Sequence, residues 1–442
     1  MPPSSLDGLV RIEGRNYTFR DLYSTGAGKR LLIRMRGKPQ GAIACLCRRR
    51  EPLALQVYST PEGPRLRCYP DTGPLHRQDC LRNGISHVGE GSRCYSGKAI
   101  TRDGRYWDVH LRDQLIAKPG AAHSPSPPPA KGRDDQRETD VQGRATLLTA
   151  LRAIWQITGL NGTVRKFGNG EPGLLAASRL AKQREFLRFN GEPARQVCIL
   201  PGIDRMATHP RLSESGRDAT TWYAIVIGAI TRVVRDGSDA LVTLRHGDVP
   251  LRAEWNIWQE IVAHSPFPRT DALIQALSQE STVKTLVVTL IARVARDEIG
   301  QLRLVNGALM VVASFWPVPV DSRAELQVLW HLSSGTGRRF VKPLLYRAGD
   351  LALPDFVVLD CALPTVIEVY GRTGSADYDR RRDVKRDLYA ANRDRVGYVE
   401  LFSRKGAMLR LPDRVPGAFD RHKHLVEGLE VKLGLQALRE TP

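Results

Sequence analysis

The chain of 442 residues carries 66 Lys and Arg against 47 Asp and Glu, a formal net charge of +19 with its ten His taken as neutral. That length allows two or three domains, and the ordinary apolar content excludes disorder of the whole chain. So positive a field selects polyanionic partners, nucleic acid first. No apolar run is long enough to span a bilayer, and the start "MPPSSLDGLVRIEG" lacks the succession of a signal peptide, so the expectation is a cytoplasmic protein without a membrane partner.

Residues 1–116 read as a small zinc-binding module. The seven cysteines are an odd number, and most precede residue 95, which suits a metal site in a reducing compartment better than a disulfide framework. The stretch "CLC" supplies Cys45 and Cys47, and "CYPDTGPLHRQDC" supplies Cys68, His76 and Cys80. Thiolates and imidazole are the donors zinc prefers, and a closed tetrahedron replaces the core that a small module lacks. We assign Cys45, Cys47, His76 and Cys80 as ligands of a structural zinc. Cys68 competes, but it lies in the strand-like "RLRCY" and is taken as a neighbour. Cys94, Cys198 and Cys361 have no such company and read as ordinary buried residues.

Residues 117–140 are rich in Pro, Ser, Gly and charge and form a linker. Residues 141–195 carry two amphipathic helical patterns, in "RATLLTALRAIWQITGL" and "EPGLLAASRLAKQREFLRFNG", consistent with a winged-helix-like unit. From 196 to 319 the period changes. "WYAIVIGAITRVVR", "ALVTLRH", "LVVTLIARVAR" and "LRLVNGALMVVASFW" read as strands of one sheet, interrupted by a helix over "AEWNIWQEIVAH".

Residues 320–442 follow the order of an α/β domain: a helix, two strands, a basic helix, a strand and a terminal helix. The two strands lie in "LPDFVVLDCALPTVIEVYG", where Asp355 and Glu368 interrupt apolar runs. A lone buried carboxylate costs several kcal/mol, on the order of the effective penalty for one desolvated ion, unless it is paired or binds a cation. If Asp360 to Leu363 make the connection, Asp355 stands opposite Glu368 on one face, and both can share a Mg²⁺ or Mn²⁺. "SSGTGRR" lacks the ending of a phosphate loop, and "RHKH" reads as an exposed helix bearing His422 and His424.

The hairpin resembles the PD-(D/E)XK, or restriction-endonuclease-like, nuclease superfamily, whose motif is Pro-Asp on one strand and Glu-x-Lys on the next. Pro354 and Asp355 match the first half, and Glu368, Val369 and Tyr370 stand at the second, with Tyr370 in place of the lysine. In some branches the lysine moves to the following helix, where Lys385 stands in "YDRRRDVKRDLY" beside Tyr378 and Arg381. The resemblance implies Asp355 and Glu368 as metal ligands, the Val369 carbonyl as a third, Lys385 as the catalytic cation, Tyr370 as a pocket residue and Glu325 as an additional acid. The N-terminal module loosely resembles the zinc ribbon in front of competence-type nucleases, and the whole chain resembles a family carried on bacterial mobile elements.

The expectation is therefore a multidomain α/β protein: a zinc module, a helical then β-rich middle, and a restriction-endonuclease-like C-terminal domain. It would be a Mg- or Mn-dependent DNA nuclease linked to a mobile element or to defence against one. Arg372, Arg381 and Arg382 would contact the nucleic acid. The alternative is a catalytically inactive nuclease fold that binds DNA or serves as an assembly factor.

Overall fold

The computed structural model describes residues 9–39, 41–48, 52–60, 63–68, 80, 94–95, 99–117, 144–163, 172–213, 220–278, 285–335, 337–347, 352–370, 376–402, 410–427, 430–433 and 435. Most of the expected linker, 118–140, lies outside them. The chain mixes helices and sheets and divides into two compact units, 1–91 with 348–352, and 92–347 with 353–442. Among the described residues no helix is long and apolar enough to cross a membrane.

The first unit is a five-stranded antiparallel sheet with two short helices. Its strands are β1 (Leu9–Ile12), β2 (Arg15–Thr18), β3 (Ile43–Cys45), β4 (Leu53–Thr60) and β5 (Gly63–Cys68), in the order β2-β1-β3-β4-β5. Helix α1 (Phe19–Ser24) starts with a capping box, in which Thr18 accepts from the Asp21 amide while Asp21 accepts from the Thr18 amide. Val10, Ile12, Phe19, Leu22, Leu32, Ile43 and Leu55 close its core.

The second unit is built on a barrel. Strands β6 (Ile100–Asp103) and β7 (Tyr106–Val109) form a hairpin, and β8 (Leu187–Phe189) runs parallel to β7, with β9 (Glu192–Pro193) beyond it. The sequence reading groups β6 and β7 with the zinc module, and extends the second amphipathic helix through the residues of β8. That helix instead ends at Gln183.

Five further strands follow: β10 (Ala224–Asp236), β11 (Asp239–Leu244), β12 (Leu251–Glu254), β13 (Leu286–Arg296) and β14 (Leu302–Ala313). Their order is β10-β11-β12-β14-β13, and β13 pairs back on β10, so the sheet closes. The pair β12–β14 is parallel and every other pair antiparallel. Closure removes the exposed edges that an open sheet of this length would carry. Helix α5 (Trp255–Ala263), as expected, connects the third and fourth strands together with α6 (Thr270–Ser278). Alternation sends Val226, Val242, Ala253, Val288, Leu290, Leu304 and Val311 into one core, while Ile225, Ile227, Ile291, Met310 and Val312 pack outward.

Helix α3 (Leu147–Thr158) packs against that outer face, with all twelve of its residues buried. Thr146 caps its start and Gly159, at φ +71°, ends it in the left-handed region where glycine carries no Cβ penalty. Its polar residues reach across to the C-terminal sheet. Gln156 accepts from the Leu344 amide at 2.7 Å, and Arg152 stands 3.6 Å from Asp321. Just beyond its end, Asn161 donates to the Lys342 carbonyl at 2.8 Å.

The C-terminal sheet has the order β15 (Phe340–Val341), β16 (Phe356–Val358), β17 (Thr365–Tyr370) and β18 (Gly397–Phe402). The β16–β17 pair is antiparallel and β17–β18 parallel, with the basic helix α8 (Ala376–Ala391) as the crossover. Phe356, Val358, Ile367 and Leu401 join the large core. Glu368, Tyr370, Tyr398, Glu400 and Phe402 alternate to the opposite face. A Cβ on Gly397 would lie 2.7 Å from Thr365 Oγ1, so the first pair of the β17–β18 ladder requires glycine.

Candidate active site

The hairpin register decides which acids meet. Phe356 pairs with Ile367, Val357 with Val366 and Val358 with Thr365, and continuing that count by one residue beyond the strand sets Asp355 opposite Glu368. The connection is pinned by Asp360, which accepts from Arg338 Nε at 2.8 Å and from the Arg339 amide at 3.0 Å. Asp355 and Glu368 are both buried.

Each is held there by protein donors. Asp355 Oδ2 accepts from the Val369 amide at 2.7 Å. Glu368 Oε2 accepts from Lys385 Nζ at 2.8 Å, and its Oε1 from the Tyr389 hydroxyl at 2.8 Å. Lys385 also donates to the Leu353 carbonyl at 3.0 Å, which ties helix α8 to the segment leading into Asp355. Lys385 and Tyr389 are four residues apart on α8 and so share the helix face that looks down on β17.

Tyr370 stands beside this pair. Its hydroxyl lies 3.2 Å from that of Tyr398, which in turn donates to Glu400 Oε1 at 2.6 Å. Glu400 occupies the position on β18 opposite Glu368 and takes a bidentate clamp from Arg386, 2.7 Å to Oε1 and 2.9 Å to Oε2. Hydrogen bonds from Arg386 hold Glu400 below the usual carboxylate range. Burial, then the neighbouring Glu368 charge, push the Tyr370 and Tyr389 phenols up, so both stay protonated donors at neutral pH. Tyr389 and Tyr398 stack at 4.9 Å between ring centroids.

Other expected site residues have partners of their own. Glu325 accepts from buried Lys342 and, at 2.8 Å, from the Asp321 amide. Among the described residues it joins no group of three metal donors with Asp355 and Glu368. Arg382 is engaged by Asp379 at 3.0 Å and Asp383 at 3.2 Å, so its charge is largely neutralised within the helix. Arg372, and the side chains of Tyr378 and Arg381, lie outside the described residues.

The sequence reading missed Tyr389, Tyr398, Glu400 and Arg386. The i,i+4 spacing of Tyr389 from Lys385 was the available signal for the first.

In the first unit, Cys45 ends β3, and Cys47 follows in the turn. With Cys80 they form a cluster whose sulfurs all lie within 4.8 Å of one another. Cys45 and Cys80 Sγ are 3.6 Å apart. That is far beyond a disulfide bond of about 2.05 Å, and close to the roughly 3.8 Å edge of a tetrahedron with zinc–sulfur bonds of about 2.3 Å. The hydrogen bond with Cys80 and burial push the Cys45 thiol well above its ordinary range. The cluster can therefore hold a metal such as zinc. His76 and the Cys68 side chain lie outside the described residues. Cys198 and Cys361 are buried, as expected.

No family model, curated protein or solved structure matches the chain.

Proposed function

We propose that the chain is a metal-dependent nuclease of the PD-(D/E)XK type that cuts DNA, tied to a bacterial mobile element or to defence against one. The observation that carries this reading is Lys385 meeting Glu368 directly across from Asp355. A lysine from the following helix stands in for the strand lysine that Tyr370 replaces.

The donor set fits a hard cation. Mg²⁺ and Mn²⁺ take oxygen ligands, and two buried carboxylates at one hairpin position supply them. When bound, such an ion supplies a Lewis acid that activates water and stabilises the charge developing on a phosphodiester. The protein's own part is to orient Glu368 through Lys385 and Tyr389, and to hold Asp355 through the Val369 amide. Lys385 also sets a positive charge beside the carboxylates, where a phosphate oxygen gains from it. In the other unit Cys45, Cys47 and Cys80 hold a structural zinc, with His76 as the fourth ligand.

A second reading is a nuclease fold that binds DNA without cutting it. It is favoured by Tyr370 at the motif-lysine position and by protein donors on both oxygens of Glu368. Titration of the purified protein with Mn²⁺ by calorimetry tests the site. The first reading predicts a binding event that Asp355→Asn and Glu368→Gln each abolish, and an isotherm unchanged by either substitution rules it out.

A further inference from the structure

The barrel is the obvious place to look for a second nucleic-acid surface, because five-stranded Greek-key barrels commonly present their second and third strands to oligonucleotides. Here that face is electrostatically quenched. Arg252 is held by Asp236 at 2.6 Å and Asp239 at 3.1 Å, and Arg303 by Asp239 at 2.7 Å and Asp297 at 3.3 Å.

The small sheet of β6, β7 and β8 differs. Leu187 pairs with Trp107 and Arg188 with Asp108, so Tyr106 and Phe186 each directly precede the first pair. The Arg188 guanidinium lies 4.7 Å from the Tyr106 ring centroid. The Arg105 guanidinium lies 5.2 Å from the Tyr106 centroid and 5.5 Å from that of Phe186. Arg105 is exposed, while Tyr106, Phe186 and Arg188 are half-buried.

Among the described residues neither Arg105 nor Arg188 makes an ion pair. The nearby acids are otherwise occupied or at the margin. Asp108 accepts from the Gly191 amide at 3.1 Å, Glu185 lies 3.7 Å from Arg195, and Asp103 sits at the exposed hairpin turn.

We propose that this face of the sheet binds single-stranded nucleic acid. Bases stack on the Tyr106 and Phe186 rings and the guanidinium planes laid over them, while Arg105 and Arg188 meet the phosphates. Rings and planar cations interleaved on a rigid sheet are the elements that stacking recognition needs, and only an unpaired strand offers base faces to them. Two cations not committed to acids can displace counterions from a strand, whereas the paired arginines of the barrel must first break their ion pairs. This surface is independent of the Asp355–Glu368 site.

The test is fluorescence anisotropy of the full chain with fluorescein-labelled oligothymidylate, oligouridylate and a DNA duplex, without added divalent metal so that cleavage plays no part. Tyr106→Ala and Phe186→Ala are each expected to weaken binding roughly tenfold or more, while Tyr106→Phe keeps it. Arg105→Glu with Arg188→Glu should flatten the slope of log affinity against log salt by about one to two. Tighter binding of one oligomer assigns the sugar preference within the same site. Asp355→Asn should bind as the wild type does, which separates this surface from the nuclease reading. Thermal melts of each variant exclude misfolding. Wild-type affinity and slope in the well-folded Tyr106, Phe186 and double-arginine variants would overturn the proposal, as would equal weakening for duplex and single strand.

Discussion

Lys385 Nζ lies 2.8 Å from Glu368 Oε2, and the Glu368 side chain is only 1 % exposed. A carboxylate so deeply buried depends on its partner. Removing one member of a buried pair costs about 3–5 kcal/mol, because the remaining charge is left uncompensated. Lys385→Met should therefore lower stability by that order in a urea melt without divalent metal, and added Mn²⁺ should restore part of it. A variant as stable as the wild type would show that the pair contributes nothing to the buried charge.

Tyr389→Phe removes the other donor to Glu368 while keeping the ring that stacks on Tyr398. A hydrogen bond to a charged group contributes about 1.5–3 kcal/mol, so the variant should lose stability within that range. Under the nuclease reading its Mn²⁺ affinity should also fall, since Glu368 loses its fixed orientation. Tyr370→Phe, which removes the hydroxyl 3.2 Å from that of Tyr398 and leaves both donors to Glu368 in place, should change both quantities less.

The Arg386–Glu400 clamp gives a pH signature. Glu400 is held below its ordinary value of 4.5 in the folded state, so its contribution is complete above that value. It disappears as the pH falls through the depressed pKa. Glu400→Gln should therefore be less stable than the wild type at neutral pH and equal to it in strong acid. Arg386 is 43 % exposed, so screening keeps the neutral-pH difference to about 1 kcal/mol or less. A difference that grows toward acid pH would have the wrong sign for this pair.

The cysteine cluster predicts about one zinc per chain by elemental analysis. Cys45→Ser with Cys47→Ser, or Cys80→Ser alone, should release it and expose the first unit to protease. His76→Ala should also release it, whereas Cys68→Ser should not. Zinc kept by His76→Ala and lost from Cys68→Ser would move the fourth ligand to Cys68.

The hairpin was legible because a four-residue connection between two apolar runs fixes the register by counting, and the register alone brings Asp355 across from Glu368. Strands β10, β11, β13 and β14 were legible from their β-branched runs, whereas β12, with no such run, was missed; closure into a barrel was not legible either, since alternation marks a strand without naming its neighbours. Strands β6 and β7 were grouped by nearness in sequence, while their partner β8 lies beyond the linker and helix α3. The partner of Glu325 was hidden for the same reason, because buried Lys342 lies seventeen residues away in sequence. Cys45, Cys47 and Cys80 were legible because donor chemistry narrows the choice before any geometry is known.

The central claim is that Asp355, Glu368 and Lys385 form one nuclease centre, and cleavage itself tests it most directly. Wild-type protein should be incubated with supercoiled plasmid, single-stranded DNA and RNA, in Mg²⁺, in Mn²⁺ and in chelator, beside Asp355→Asn, Glu368→Gln and Lys385→Met. We predict metal-dependent cutting of DNA by the wild type, abolished in both acid variants and reduced by roughly a hundredfold or more in the lysine variant, as expected for a lost charge-stabilising donor. Cleavage that survives the acid substitutions, or a wild-type protein that binds Mn²⁺ and DNA and never cuts, would contradict it.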